Sequence, residues 1–395
     1  MLGDSSPDAS DLKSVVSLVE VEKDHAQIEE AILKAIGLIG GVGRYVNKGN
    51  KVLIKPNFCA DKLSSSGVTT NLKIVDGLIK LVLEAGGSPI IGEGSIYPLS
   101  TSKVFEKLGV YELGTKYGID VVDLNEDEIA EVSVPNPLIL ETVRIAKTAL
   151  TCDKIISVAK LKMHEIVKVS LSLKNMKGVL PGIEKHVTHR KGLEKAIADL
   201  CSIIRPTMAV IDGIVGSAGA TALMVKPVES NLILAGNDPV AVDAIASYIM
   251  GFNPSEISVL KYASMKGLGT ANIKNINVKG EELENLRLKI TPLFSKEKFK
   301  DRFFRYFQLK INKLFYKTAY PITRILPKDY PTMYCVGDVK ISLDRNACTK
   351  CGRCVLVCPN DAVLLKKGYP RINVGACSGC LYCIEACSSG AISSL

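Results

Sequence analysis

Apolar and polar positions divide the chain into distinct kinds of pattern. Between residues 15 and 279, short aliphatic runs (15–21, 52–54, 89–91, 119–123, 154–158, 208–211, 232–234 and 276–278) alternate with longer amphipathic stretches, as at 24–39, 72–85, 192–204 and 239–250. The short runs predict strands and the long ones helices. Strands separated by helices of that length predict βαβ crossovers. The fold class is therefore α/β, a mostly parallel sheet with helices on both faces, in a domain of about 280 residues.

From 294 to 334 the pattern changes. Phe299, Phe303, Phe307, Ile311 and Leu314 recur at spacings of three or four among lysines and arginines, so a helix here would be apolar on one face and basic on the other. Packing of the aromatic face on the α/β domain is the commoner fate of such a helix. Peripheral contact with an anionic membrane surface through 296–328 is the alternative. The last sixty residues hold a short, duplicated pattern. Three regions result: an α/β domain at 1–290, a basic aromatic linker at 291–335 and a small domain at 336–395.

Composition changes this picture little. The 395 residues are 47% hydrophobic and 23% charged, a globular balance that excludes a disordered or collagen-like chain. No run of eighteen apolar residues occurs, since even 209–225 is broken by Asp212, so no spanning helix is expected. The polar opening MLGDSSPDASDL lacks a secretory pattern, and the expected location is cytoplasmic. Charge is more informative. Residues 154–195 carry ten Lys or Arg against three Glu, net +7, and 296–328 carry ten against two acids, net +8, which leaves −6 for the remainder of a +9 chain. Basicity confined to two segments is not that of a nucleic-acid-coating protein, and no nucleic acid is expected as a partner.

Eight of the twelve cysteines fall between Cys348 and Cys387. Cys348, Cys351, Cys354 and Cys358 are spaced C-x2-C-x2-C-x3-C, and Cys377, Cys380, Cys383 and Cys387 repeat that spacing 29 residues on. The duplication extends to Ala362-Val363 and Ala391-Ile392, and to strand-like runs at 340–343 and 370–372. Thiolates three residues apart on a tight loop can reach three corners of one cubane, and the fourth ligand must come from elsewhere. A disulfide framework needs an oxidising compartment. Zinc sites usually take two C-x2-C pairs split by a longer loop. The doubled run points instead to two [4Fe-4S] clusters. The remaining cysteines, Cys59, Cys152, Cys201 and Cys335, have no ligand spacing.

The segment 336–395 resembles bacterial-type two-cluster ferredoxin domains, which are small and α+β. That resemblance implies that Cys348, Cys351, Cys354 and Cys387 hold one cluster and Cys377, Cys380, Cys383 and Cys358 the other. Ser388 stands where the family usually has proline. Two clusters so close form a path for single electrons, and a redox partner protein is expected.

In the α/β domain, polar residues gather just after candidate strands, where open parallel sheets bind ligands. Lys55 and Asn57 follow the run at 52–54. Lys160, Lys162 and His164 follow 154–158, and beyond them come Lys174, Asn175, Lys177, His186, His189 and Arg190. Asp212 follows 208–211, with Gly213, Gly216 and Gly219 as a loose glycine-rich loop, and Asp238 follows 232–234 with Asp243 one helical turn on. Four strand ends are thus expected to present polar groups in one direction. The loop is not a Gly-x-Gly-x-x-Gly fingerprint, so nicotinamide binding is not supported.

Cations gathered with histidine suit an anionic small-molecule substrate, a phosphate or carboxylate. Lys55, Lys162, Lys174, Lys177 and Arg190 are its expected holders, with Asn57, Asn175 and Asp212 at the site. His164 or His189 is the expected proton source. A desolvated Lys174 or Lys162 suits a base or a carbonyl-trapping amine. Asp212 and Asp243 suit a divalent metal or the neutralisation of the lysines. A turn for Asp212 and a backbone-bonded helix position for Asp243 are the plainer readings.

Lys55-Pro56-Asn57, Lys162-Met163-His164, Lys174-Asn175-Met176-Lys177-Gly178, His189, Ile211-Asp212-Gly213 and Asp238-Pro239-Val240-Ala241-Val242-Asp243 resemble, in order, the family called domain of unknown function 362. The resemblance covers roughly 52–269, and that family is often joined to a ferredoxin module. The first functional expectation is an iron-sulfur oxidoreductase that passes electrons from its clusters to the anion. The second is a non-catalytic electron carrier or assembly factor whose large domain docks a partner. A ligase or transferase with structural or sensing clusters is the third.

Overall fold

The computed structural model describes residues 14–394 except 23–26, 97–98, 165–166, 183, 219–225, 287, 289–331, 337–338, 359–360, 375 and 378–381. The amphipathic helix expected at 296–328 lies outside the described residues. The chain divides into two compact units, residues 1–182 with 192–290, and residues 183–191 with 291–395.

In the first unit the chain runs through β1 (Ser14–Glu20), α1 (Ile28–Leu38), β2 (Lys51–Pro56), α2 (Leu72–Glu84), β3 (Ser88–Glu93), α3 (Thr101–Leu108), α4 (Val110–Tyr117) and β4 (Val121–Asp123). A hairpin of β5 (Ile129–Ser133) and β6 (Thr142–Ala146) follows, then α5 (Lys147–Thr151), β7 (Lys154–His164), β8 (Lys168–Ser170) and α6 (Ser172–Asn175). It continues through α7 (Glu184–Ile203), β9 (Met208–Ser217), β10 (Pro227–Gly236), α8 (Pro239–Ile249), α9 (Ser258–Met265) and β11 (Ile276–Gly280). The first half of α7 falls in the second unit, and the division coincides with Gly192, whose φ of 121° interrupts the helix. That conformation is readily open only to glycine.

Nine strands form one sheet, ordered β11-β1-β10-β9-β7-β2-β3-β4 with β8 beside β7. From β9 to β4 all neighbours on this path are parallel. Strands β2, β7 and β9 alternate between two cores: Ile54, Val158 and Val210 enter one, and Leu53, Ala159 and Ile211 the other. Burial on both faces explains the unbroken apolar runs. Helices α1 and α2 cover the first core, and α8 and α9 the second. Asn71 caps α2 by accepting from Lys73 N–H at 2.9 Å. A Cβ at Gly77 would come within 2.7 Å of Ile32, so the glycine lets α1 and α2 approach closely.

Direction matters for the site. β10 is antiparallel to β9, so its end, with Asp238, faces the sheet edge opposite to the ends of β2, β7 and β9. The expectation of four strand ends pointing one way is corrected to three. Asp238 caps α8 instead, accepting from Val240 and Ala241 N–H. Gly213 and Gly216 lie within β9 rather than in a loop, close against Leu232 and Leu161 carbonyls, and Gly219 lies outside the described residues.

The second unit contains β12 (Thr332–Val336), β13 (Val339–Leu343), α10 (Arg353–Leu356), β14 (Val363–Lys366), β15 (Tyr369–Ile372), α11 (Tyr382–Glu385) and β16 (Ile392–Ser394). β12, β13 and β16 form one antiparallel sheet, and β14 and β15 a hairpin. The one-turn helices α10 and α11 occupy equivalent positions in the two repeats, and the duplicated cysteine spacing is thus a duplicated structure.

Candidate functional site

The C-terminal ends of β2, β3 and β7 meet in a buried polar network. Lys55, fully buried near the end of β2, donates to Glu93 Oε1 at 2.9 Å and Oε2 at 3.0 Å, and to Asn175 Oδ1 at 3.2 Å. Burial pushes the Lys55 ammonium below its ordinary value, and Glu93 opposes that shift. Asn175 returns its Nδ2 to the Lys55 carbonyl at 3.0 Å and to Ser157 Oγ at 3.1 Å. Gly178 lies directly over the ion pair: a Cβ there would run into Glu93 Oε1 and come within 2.5 Å of Lys55 Nζ.

Lys162 projects from the end of β7 into the same network. It donates to Asn57 Oδ1 at 2.6 Å, to the Val68 carbonyl at 3.3 Å and to Cys59 Sγ at 3.5 Å. Asn57 in turn donates to Asn175 Oδ1 at 3.1 Å. These three acceptors of Lys162 are all neutral, in contrast with the Glu93 carboxylate that meets Lys55. Two residues earlier on the strand, Lys160 is buried against Asp212 Oδ2 at 2.8 Å, and Asp212 also accepts from Asn71 N–H at 2.7 Å. Asp212 therefore neutralises a lysine and holds the start of α2.

His164 ends β7 and is buried. Val167 N–H donates to its Nδ1 at 3.4 Å. Burial depresses its pKa well below the ordinary value, and the charges of Lys174, Lys177 and Lys162 add to the depression in that order. Three ammonium groups from β7, α6 and the turn after it thus act on one neutral imidazole. Asp243 of α8 positions α6 by accepting from Ser172 N–H at 2.8 Å and Leu173 N–H at 3.0 Å. Burial pushes its carboxyl up to about 7.

The structure thus brings Lys55, Asn57, Lys162 and Asn175 into one network, with Lys174 and Lys177 acting on His164. His189 and Arg190 lie in the part of α7 that groups with the second unit, and their side chains lie outside the described residues. Glu93 and Ser157 complete the network, and Lys160 with Asp212 forms a separate buried pair beside it. Glu93 has a signal in the sequence, an acid closing a strand whose parallel neighbour closes on lysine, but only the register shows that the two meet.

In the second unit, Cys348, Cys351, Cys354 and Cys387 line one cavity. Burial pushes the Cys354 thiol up to about 11, followed in effect by the charges of Cys387, Cys351 and Cys348. A thiol from the second repeat is therefore grouped with three from the first, the crossover that a cubane in this pattern requires. Among the described residues no three His, Cys, Asp or Glu converge on a single metal ion; the four thiols instead surround a space. The donor set suits an iron-sulfur cluster. Of the other set, Cys358 and Cys383 are buried, Cys377 is half-buried and Cys380 lies outside the described residues. Arg353 Nη1 donates to Ser388 Oγ at 3.2 Å, at the position that proline usually takes.

Comparison with known proteins agrees with this division. The family model described as "Domain of unknown function (DUF362)" matches residues 52–248, and one described as "4Fe-4S dicluster domain" matches 340–388. The chain is 26% identical to Thylakoid-associated protein sll1697 of Synechocystis sp. over 263 residues, 65% of this chain and 80% of that one. It is 38% identical to Ferredoxin-1 of Rhodobacter capsulatus over 53 residues, 12% of this chain and 82% of that one. The solved lactate racemase apoprotein from Thermoanaerobacterium thermosaccharolyticum superposes with a TM-score of 0.37 at 11% identity. That superposition covers 62% of this chain and 59% of the racemase chain. Among the described residues no helix is long and apolar enough to cross a membrane.

Proposed function

Starting from a chain that belongs to the DUF362 family and carries an iron-sulfur ferredoxin-like domain, we propose an oxidoreductase that delivers electrons from two [4Fe-4S] clusters to an anionic small molecule in the α/β unit. The observation that carries this is that Lys162 and His164 stand at the end of β7 while Lys174 in α6 and Lys177 just after it add their positive charge at the same imidazole. Lys55 and Lys160 are occupied by Glu93 and Asp212 and serve as scaffold.

When bound, the clusters supply single electrons at low potential. Lys162, Lys174 and Lys177 hold the anion's charge, and Asn57 fixes the direction of Lys162. An anion among these lysines offsets their field at His164, so its arrival raises the affinity of the imidazole for a proton. Ligand binding and readiness for proton transfer are thereby coupled. Asp243 keeps α6, and with it Lys174 and Asn175, in place.

On this proposal the protein works in the cytoplasm, where free thiols persist. A redox partner protein supplies the electrons. The name of the Synechocystis relative carries association with thylakoids; the basic aromatic segment at 296–328 is the part of this chain suited to such a surface contact.

The test is anaerobic. Protein reduced with dithionite and freed of excess reductant is mixed with small carboxylates and phosphates, and cluster absorbance is followed. Reoxidation by at least one anion, lost in His164→Ala with iron and sulfide content retained, is the expected result. A panel-wide failure to reoxidise, with full clusters that a protein acceptor does oxidise, would favour the non-catalytic carrier.

A further inference from the structure

The two repeats of the C-terminal unit share a backbone plan but not a charge. Residues 345–371 carry six Lys or Arg against Asp361 alone, net +5, whereas 372–395 carry no Lys or Arg and one acid, Glu385, net −1. A duplicated fold has no structural need for that asymmetry, since lysines on exposed strands and turns are interchangeable with other polar residues at little cost. The basic residues also lie together. Lys350 and Arg353 line the cavity of the first cysteine set. The turn joining β14 to β15 abuts Lys350, because a Cβ at Gly368 would stand 3.1 Å from Lys350 Cδ, and this turn bears the exposed Lys366 and Lys367. Lys350 Nζ lies 4.7 Å from the centroid of the Tyr369 ring, with Arg345 over the same ring at 5.6 Å.

Apolar surface sits inside this basic rim. Leu365 lines the cavity yet is 48% exposed. Cys351, a member of the set, is itself exposed. An exposed ligand thiol, with the uncovered Leu365 beside it and cations around both, has the layout of a transient docking face: apolar contact at the centre, charge at the edge to steer the encounter.

We propose that the first-cluster face, centred on Cys351 and Leu365 and rimmed by Lys350, Arg353, Lys366 and Lys367, docks an acidic electron-donor protein. This rests on the electron transfer proposed above and adds the chemistry of the partner and its point of entry. The partner is an acidic one because only negative charge around its own redox centre complements a rim of four cations in a segment of net +5. Entry is at the first cluster because the second repeat offers no cation to any such partner. The step is one electron from the reduced donor to the oxidised cluster, with no bond made or broken.

The test uses the full-length, cluster-loaded protein and reduced flavodoxin, an acidic one-electron donor, with cluster bleaching followed by stopped flow. Lys366→Glu with Lys367→Glu should lower the second-order rate about tenfold at low salt, and the wild-type rate should itself fall as salt rises from about 0.05 to 0.5 M. Leu365→Ser should slow the reaction without changing its salt dependence. Total bleaching by dithionite should be the same in all variants, which shows that the clusters are intact. A flavodoxin rate unchanged by charge reversal would overturn the proposal. The same holds if the substitutions spare that rate but abolish binding to phosphatidylserine vesicles or a monomer–dimer equilibrium, which would assign the face to a membrane or a second copy. Failure here is separable from failure of the proposed function: dithionite-reduced protein still reoxidised by an anion would leave the oxidoreductase standing and remove only the donor face.

Discussion

In the α/β unit Lys55 and Lys160 are 0% and 1% exposed against Glu93 and Asp212, whereas in the C-terminal unit Lys350, Lys366 and Lys367 stand open to solvent around a cysteine cavity. The same residue type does opposite work in the two places. A buried ammonium must be met by a carboxylate, and what it then contributes is fixed geometry. An exposed one keeps its field, which reaches a partner across a Debye length and fades with salt. Between these extremes lie the half-buried Lys162 and Lys174, which with the more deeply buried Lys177 act on one buried imidazole. That intermediate environment is where chemistry is expected, since a cation there is desolvated enough to matter and near enough to the surface for a ligand to arrive.

The sharpest break of this comparison comes from Glu93. Glu93→Gln leaves Lys55 buried beside a neutral amide, and denaturant unfolding of the α/β unit should show a loss of about 3–5 kcal/mol. Lys55→Met combined with Glu93→Leu removes both charges and should recover most of that loss. A Glu93→Gln protein within about 1 kcal/mol of wild type would mean that the pair is not the scaffold described.

Lys162→Gln comes next in size. It keeps a donor for Asn57 and removes the charge, so the affinity of the reoxidising anion should fall about tenfold to a hundredfold, a loss of about 1.5–3 kcal/mol for a charged hydrogen bond. Stability should change much less, which calorimetric binding and thermal unfolding measured side by side would show.

Smaller effects distinguish His164 from Asp243 by sign. The folded His164 binds its proton more weakly than an unfolded histidine, so stability is full above the ordinary value of 6.5 and is lost as pH falls below it. Asp243, raised from 3.8 to about 7, binds its proton more tightly when folded, so stability is gained as pH falls from about 7 toward 3.8. Unfolding midpoints followed by circular dichroism from pH 8 down to pH 5 should therefore show a shallower acid decline in His164→Gln and a steeper one in Asp243→Asn. Changes of the same sign in both would contradict the assignment. Least of all, Lys366→Gln should move stability by no more than about 0.5 kcal/mol.

Much of the fold was legible because burial on both sheet faces writes itself as short, mostly aliphatic runs, as at 52–54, 154–158 and 208–211. The cysteine repeat was legible because its ligand spacing is covalent in origin, and the grouping of Cys387 with Cys348, Cys351 and Cys354 follows the implied crossover. β7 and β9 run further than their apolar cores suggest, since Lys160 and Asp212 look like the end of a strand but are buried together inside one. The direction of β10 was not legible either. An antiparallel strand with both faces buried has the same composition as a parallel one, and only pairing sent Asp238 to the far edge. Within the site, Lys55 and Asn175 were visible as polar residues after strands, but the Glu93 that claims Lys55 depends on β2 and β3 being adjacent.

The measurement that bears most directly on the central claim is single-turnover reoxidation of the reduced full-length protein by the anion found active, compared between wild type and Lys162→Gln at equal iron and sulfide content. The account predicts rapid return of cluster absorbance in the wild type and its near loss in the variant at the same anion concentration. Equal rates in the two proteins would contradict it, because electrons would then be leaving the clusters without passing through the lysine-lined site.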